Sequence, residues 1–154
     1  FHDKLLDELG DAVVPARRAD MVIVRTLLET VELPRVDVGD ERFGSFFCLR
    51  NEHGIAGCVG LEVLGDDALL RDLAVSPPLR GHGYGWLLAD IAVQWARFRG
   101  CRRVYLVTET ASDFFAAKLG FRVVDRSTAS PAVAENPTFV GSDASRFVAM
   151  RLDL

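Results

Sequence analysis

An α/β domain with a mixed, mostly antiparallel central sheet flanked by helices is the fold this sequence predicts. Two observations carry the expectation. Three strand-like runs follow one another between residues 43 and 76, separated only by short turns rich in Gly, Asp and Asn, the signature of consecutive antiparallel strands. After them, helical periodicities alternate with strand-like runs, as when helices pack on a sheet. The 154 residues, 49% hydrophobic and 26% charged, suit one compact core. They read as a single domain over 12–154 behind an N-terminal extension, 1–11.

Val13-Val14-Pro15 predicts a short first strand. Asp20 then precedes Met21, Val24, Leu27, Leu28 and Val31 at helical spacing, so a helix is expected with Asp20 as N-cap and Pro34 as its stop. Phe43 to Leu49 and Ile55 to Leu64, joined at Asn51-Glu52-His53-Gly54, predict a β-hairpin. Gly65-Asp66-Asp67 turns the chain into Ala68 to Ser76, whose near-continuous apolar character predicts a central strand buried on both faces. Between Gly83 and Arg99, Leu87, Leu88, Ile91, Ala92, Trp95 and Phe98 recur at helical intervals, and Gly100 is placed as the stop. Cys101 to Val107 predicts a strand. Thr110 to Leu119 predicts a helix with Asp113 completing a variant capping box and Gly120 as its end. Phe121 to Val124 and Arg146 to Leu152 predict two last strands, and Ser127 to Asp143, with Pro131, Pro137 and Gly141, reads as a loop.

Charge and cysteine usage exclude several function classes. The formal net charge of −4 disfavours binding to nucleic acid or an anionic membrane. No stretch free of Asp, Glu, Lys and Arg exceeds nine residues, far short of the roughly 20 that span a bilayer. Phe1 to Asp11 carries acidic residues and no long apolar run, so it does not read as a signal peptide. Cys48, Cys58 and Cys101 are odd in number and embedded in apolar runs, and His2, His53 and His82 stand apart from them. Neither a disulfide framework nor a metal site follows, and a reducing cytoplasm is the expected location.

The segment with chemical promise is Leu73-Ala74-Val75-Ser76-Pro77-Pro78-Leu79-Arg80-Gly81-His82-Gly83-Tyr84-Gly85, a strand running into a glycine-rich turn that opens the longest helix. Glycines at alternate positions remove the Cβ atoms that would keep a bulky anion from the backbone. The free N–H groups and positive dipole end of a helix's first turn then form an anion site, with a phosphate or pyrophosphate as the expected ligand. A purely structural turn would use the same glycines. A P-loop is excluded because no Gly-Lys-Ser/Thr follows, and a dinucleotide fingerprint because the turn follows three antiparallel strands rather than opening a βαβ unit.

This segment resembles motif A of the GNAT superfamily of acetyl-coenzyme A-dependent N-acyltransferases, whose pattern is Arg or Gln, two residues, Gly, one residue, Gly or Ala. Arg80, Gly83 and Gly85 match it. The resemblance extends from Val13 to Leu152, with Asp20 to Pro34 similar to the family's first helix and Ala111 to Phe121 to its closing helix, which ends in Gly120-Phe121. It implies a GNAT fold and acetyl-CoA as co-substrate, with no metal. Leu73, Ala74 and Val75 would flank the pantetheine arm, and Arg80, Gly81, His82, Gly83, Tyr84, Gly85 and Trp86 would wrap the pyrophosphate. The runs Gly60 to Val63, Ala68 to Arg71 and Phe114 to Arg126 look most like a branch that acetylates the amino group of amino acids and similar compounds, some of whose members are linked to arsenic resistance. The Cys-Pro pair of that branch is absent, and Gly141-Ser142-Asp143 stands in its region.

Where many family members carry a tyrosine general acid, four residues after an alanine, this chain has Phe115 after Ala111, and Thr108 replaces a frequent asparagine. A thiolate of pKa about 8.5 can leave without a strong acid near neutral pH. Glu62, an acid in an apolar strand, is either edge-exposed or a buried base. Glu109 closes a strand and is either a second catalytic candidate or a surface acid. Arg71 lies on an apolar face with Leu69, Leu73 and Val75, which calls for a salt bridge or, with Thr108, for binding the acceptor through its carboxylate. His82 also reads as solvated turn filler, and Trp86 and Trp95 as core. The function expected is direct acetyl transfer to the primary amine of a small molecule, an amino acid or a mimic of one. The alternatives are a non-catalytic acyl-CoA-binding sensor or interaction domain, and a protein N-acetyltransferase. A homodimer is compatible with such a chain.

Overall fold

A computed structural model of the chain describes residues 13–31 and 38–154. Seven strands form a mixed sheet: β1 (Val13–Pro15), β2 (Phe46–Asn51), β3 (Gly54–Leu64), β4 (Asp67–Val75), β5 (Arg103–Thr108), β6 (Arg122–Val124) and β7 (Val148–Asp153), in the spatial order β1-β2-β3-β4-β5-β7-β6. The helices are α1 (Met21–Leu28), α2 (Tyr84–Phe98), α3 (Ser112–Leu119) and two single turns, α4 (Pro131–Ala134) and α5 (Pro137–Val140). The pairs β1/β2, β2/β3, β5/β7 and β6/β7 are antiparallel, while β4 and β5 are parallel because α2 carries the chain between them. The expected mixed architecture and the central place of β4 are as observed.

The chain divides into two compact units. The first contains residues 13–31, 38–60 and 72–92, and its core joins Met21, Val24 and Leu27 of α1 to Phe46 and Cys48 of β2, Cys58 of β3 and Ala74 of β4. Each such large buried side chain contributes about 1.5–3 kcal/mol. Within this unit Gly57 of β3 lies under α2: a Cβ there would stand 3.0 Å from Leu88 Cδ1 and 3.2 Å from the Ala74 carbonyl oxygen. Asp72 has the one positive φ among the described non-glycine residues, 55°, and its carbonyl accepts the Cys58 thiol at 3.4 Å. The second unit contains 61–71 and 93–154, with a core of Leu69, Tyr105, Val133, Phe139 and Ala149.

Several boundaries differ from expectation for identifiable reasons. Asp20 ends a 3₁₀ turn in helical geometry, φ −75° and ψ −19°, so it cannot cap α1. Its carboxylate instead accepts the Arg17 backbone N–H at 2.8 Å and the Arg50 guanidinium. Burial pushes this carboxyl up, but those donors outweigh burial and hold it below the ordinary range. Asp40–Ser45 forms a 3₁₀ turn, so β2 begins at Phe46 rather than Phe43. Thr110 does not cap α3; the Thr108 hydroxyl accepts the Ala111 N–H at 3.0 Å. The stretch read as a loop contains α4 and α5, each with proline in its first turn, and Asn136 caps α5 by accepting the Thr138 N–H at 3.0 Å. Arg126 fastens it by donating to the Phe139 and Phe147 carbonyls and to Ser142 Oγ. Trp95 and Phe98 are not core: they stack at 5.2 Å on the outer side of α2, with Phe98 77% exposed. Pro34 and the segment 1–11 lie outside the described residues.

Cys48, Cys58 and Cys101 are free and buried. Burial pushes the Cys48 thiol up to about 11 and raises Cys58 and Cys101 as well. A thiol titration at pH 8 with an aromatic disulfide reagent is therefore expected to find no fast-reacting cysteine in the native protein and three after unfolding.

Candidate active site

The glycine turn is built by its flanks. β4 ends at Val75, and the Ser76 N–H donates to the Ala56 carbonyl of β3 at 2.8 Å, tying the turn's entrance to the sheet. Pro77–Leu79 makes one 3₁₀ turn, closed by the Leu79 N–H on the Ser76 carbonyl at 2.9 Å. Gly81 and Gly83 then adopt φ of 82° and 89°, conformations that only glycine takes readily, and α2 begins at Tyr84. The Leu87 N–H reaches the Gly83 carbonyl at 3.1 Å, which places the N–H groups of Tyr84 and Gly85 in the first turn of a 15-residue helix, ahead of its first intrahelical bond. The dipole of that helix adds positive potential there.

Space is available on this face. A Cβ built at Gly81 or Gly85 meets nothing within 4 Å. His82 is exposed, with its ring 6.3 Å from that of Tyr84, and Trp86 is half-buried. The Arg80 side chain runs back, donating from Nε to the Val75 carbonyl at 3.0 Å. The parallel β4/β5 ladder pairs Asp67–Leu69 with Arg103–Tyr105, so Leu73, Ala74 and Val75 lie beyond its register. Open backbone donors, room for a bulky anion and a strand segment outside the ladder fit the diphosphate and amide-bearing arm of CoA.

The second unit holds a buried polar cluster. Arg71 on β4 donates to Glu62 Oε1 on β3 at 2.8 Å, and Asn136, between α4 and α5, donates to Glu62 Oε2 at 2.5 Å. Arg71 is 6%, Glu62 9% and Asn136 8% exposed. Glu62 is thus not an edge-exposed acid, and both its oxygens accept hydrogen bonds. Arg71 takes the salt bridge rather than standing free as a carboxylate clamp, because burying an unpaired guanidinium would cost several kcal/mol. Asn136 was missed in the sequence; its signal was the Asn136-Pro137 pair, an N-cap followed by proline at the first helical position.

The other candidates have local partners. Glu109 forms a two-pronged pair with Arg146, at 3.1 Å from Nε and 3.0 Å from Nη2, near the surface. Such exposed pairs contribute at most about 1 kcal/mol. Thr108 is buried at the end of β5, and its hydroxyl accepts the Ala111 N–H just ahead of α3. Phe115 is buried edge-on against Phe114 and Phe121, at 5.1 and 5.7 Å, and has no proton to give. Among the described residues no group of three or more His, Cys, Asp or Glu could hold a metal, and no helix is long and apolar enough to cross a membrane.

Comparison with known proteins extends this geometry. The chain is 35% identical over 82 residues to an amino-acid acetyltransferase of Mycobacterium tuberculosis, a match covering 53% of this chain and 44% of that protein. The structure of the Rv2747 protein of Mycobacterium tuberculosis, solved with CoA, superposes with a TM-score of 0.75 at 24% identity, covering 92% of this chain and 98% of that one. N-acetylglutamate synthase of Neisseria gonorrhoeae, solved with coenzyme A and N-acetyl-glutamate, gives a TM-score of 0.81 at 20% identity, over 92% of this chain and 34% of the enzyme. The chain therefore spans less than half the length of the curated relative, and the structural likenesses establish the fold. Residues 16–121, more than half of the sequence and including the whole glycine turn, match the acetyltransferase (GNAT) family, and the chain belongs to that family.

Proposed function

We propose that the chain transfers an acetyl group from acetyl-CoA to the primary amine of a small molecule, an amino acid or an amino-acid-like compound, by direct transfer. The observation that carries this reading is the glycine turn with its open face at the amino end of α2. In it, backbone N–H groups between Gly81 and Trp86 hold the diphosphate, and the backbone of Leu73, Ala74 and Val75 aligns the arm that bears the thioester. A backbone N–H from that strand segment polarises the thioester carbonyl. The neutral amine attacks the carbonyl carbon, a C–N bond forms as the C–S bond breaks, the thiolate leaves, and the amine proton passes to water. An α-amino group of pKa about 7.7–8.0 has an appreciable neutral fraction at pH 7, so no strong base is required. No step of this transfer calls on Glu62, whose oxygens both accept hydrogen bonds, on Glu109, held in its ion pair, or on the bare ring of Phe115.

The amino-acid part of the reading is supported by the 35% identical acetyltransferase and not by Arg71, whose guanidinium faces Glu62. Buried free thiols support a reducing, cytoplasmic setting. A second reading, a non-catalytic acyl-CoA-binding domain, is favoured by the absence of a free acid or base at Phe115 and Glu62. Release of free thiol from acetyl-CoA, followed with a panel of amino acids, simple amines and peptides, separates the readings. Turnover with amino acids is expected; turnover with peptides alone would make the chain a protein acetyltransferase, and CoA binding without turnover would make it a sensor.

A further inference from the structure

Arg80 stands at the mouth of the glycine turn, but its donors reach protein acceptors from two elements. Nε donates to the Val75 carbonyl at 3.0 Å, and Nη2 to Thr30 Oγ1 at 3.2 Å and to the Thr30 carbonyl at 3.4 Å. The Thr30 hydroxyl in turn donates to the Leu27 carbonyl at 2.6 Å. A hydroxyl has one proton, so that bond commits it and leaves the oxygen lone pairs for Arg80. Leu27 and Thr30 mark the carboxyl end of α1, where the Leu27 and Leu28 carbonyls accept the Thr30 and Val31 N–H groups at 3.0 and 3.3 Å, the Thr30 carbonyl lies just beyond the helix, and the dipole is negative. A guanidinium can bond carbonyls at such an end and is favoured there by the dipole, and its planar fork holds several acceptors in fixed geometry.

The geometry points to Thr30 as a positioning residue: through Arg80 it fastens the carboxyl end of α1 to Val75 and so sets the glycine turn for a diphosphate. The inference rests on the acetyl-CoA reading above. Its logic is preorganisation. Gly81 and Gly83 give the turn more freedom than other residues would, and a loop that must be ordered on binding loses affinity. Anchoring Arg80, the residue immediately before Gly81, removes part of that freedom before the ligand arrives. The side chain of Arg80 then acts on the diphosphate through the backbone it holds.

The test is calorimetry with CoA and steady-state acetylation by the wild type, Thr30→Val, Thr30→Ser, Arg80→Met and the Thr30→Val/Arg80→Met double variant. Thr30→Val is expected to weaken CoA binding and raise the KM for acetyl-CoA roughly threefold to tenfold, with kcat within about twofold. Thr30→Ser, which keeps the hydroxyl, restores the wild-type affinity. The double variant binds no more weakly than Arg80→Met alone, because both changes remove one connection. Wild-type affinity in Thr30→Val, or additive losses in the double variant, overturns the inference. So does a salt dependence of CoA affinity that falls in Arg80→Met but not in Thr30→Val, the mark of a direct phosphate contact. If the wild type itself does not bind CoA, the acetyl-CoA reading falls and the inference with it, an outcome distinct from the others because it precedes every substitution.

Discussion

Gly85→Val is expected to weaken CoA binding a hundredfold or more, roughly 2.8 kcal/mol, with no loss of thermal stability. The two halves of this expectation come from one measurement on the backbone. A Cβ at Gly85 meets no protein atom within 4 Å, so the folded chain accommodates it, and Gly85 lies in the first turn of α2, where replacing glycine favours the helix. Any penalty must then come from what the turn holds. Gly83 is the less informative target: its φ of 89° makes a valine there strained with or without a ligand. Calorimetry with CoA, run beside thermal unfolding, reads both quantities. A Gly85→Val variant that binds CoA as the wild type does would remove the glycine turn from the site.

Arg71→Leu is expected to destabilise the fold by about 3–5 kcal/mol, because it leaves the Glu62 carboxylate buried with its ionic partner gone. For a chain of this size that lowers Tm by roughly 10 °C. Replacing both residues, Arg71→Leu with Glu62→Leu, should recover most of the loss, since the uncompensated charge is what costs, not the missing bond. Thermal and denaturant unfolding of the two single variants and the double variant supply the cycle. The contrary result is equally specific: an Arg71→Leu protein of wild-type stability with a raised KM for amino acids alone would mean that the guanidinium serves the acceptor.

The elements that sequence showed were those whose cause is local. Strand-like runs and the turn chemistry between them define β2, β3 and β4, apart from the first residues of β2, without help from the rest of the chain, and Gly100 and Gly120 end their helices at φ of 80° and 79°. The glycine turn was legible for the same reason, since its conformation requires particular residues at particular positions. What sequence hid is non-local. Glu62 had two readings until its partners at positions 71 and 136 were known, and the second lies 74 residues away. The helical turns between Pro131 and Val140 carry the signals of a loop, proline and small polar residues, and they are helical because Arg126 and buried Val133 and Phe139 hold them. Trp95 misled because an apolar residue at helical spacing says that a helix exists more reliably than which side of it is covered.

Gly57 bears on how far the glycine turn could be moved to another protein. The stretch from Leu73 to Trp86 looks like a portable cassette, complete in one run of chain. Yet the seat of α2 over Ala74 depends on a missing side chain on the neighbouring strand, where even a methyl group would press within 3.0 Å of Leu88. A graft that carried the cassette alone onto a host strand bearing alanine or larger at that place would set the helix a few tenths of an ångström high and swing its amino end. The transferable module is therefore discontinuous: the glycine-rich run together with one bare position on β3.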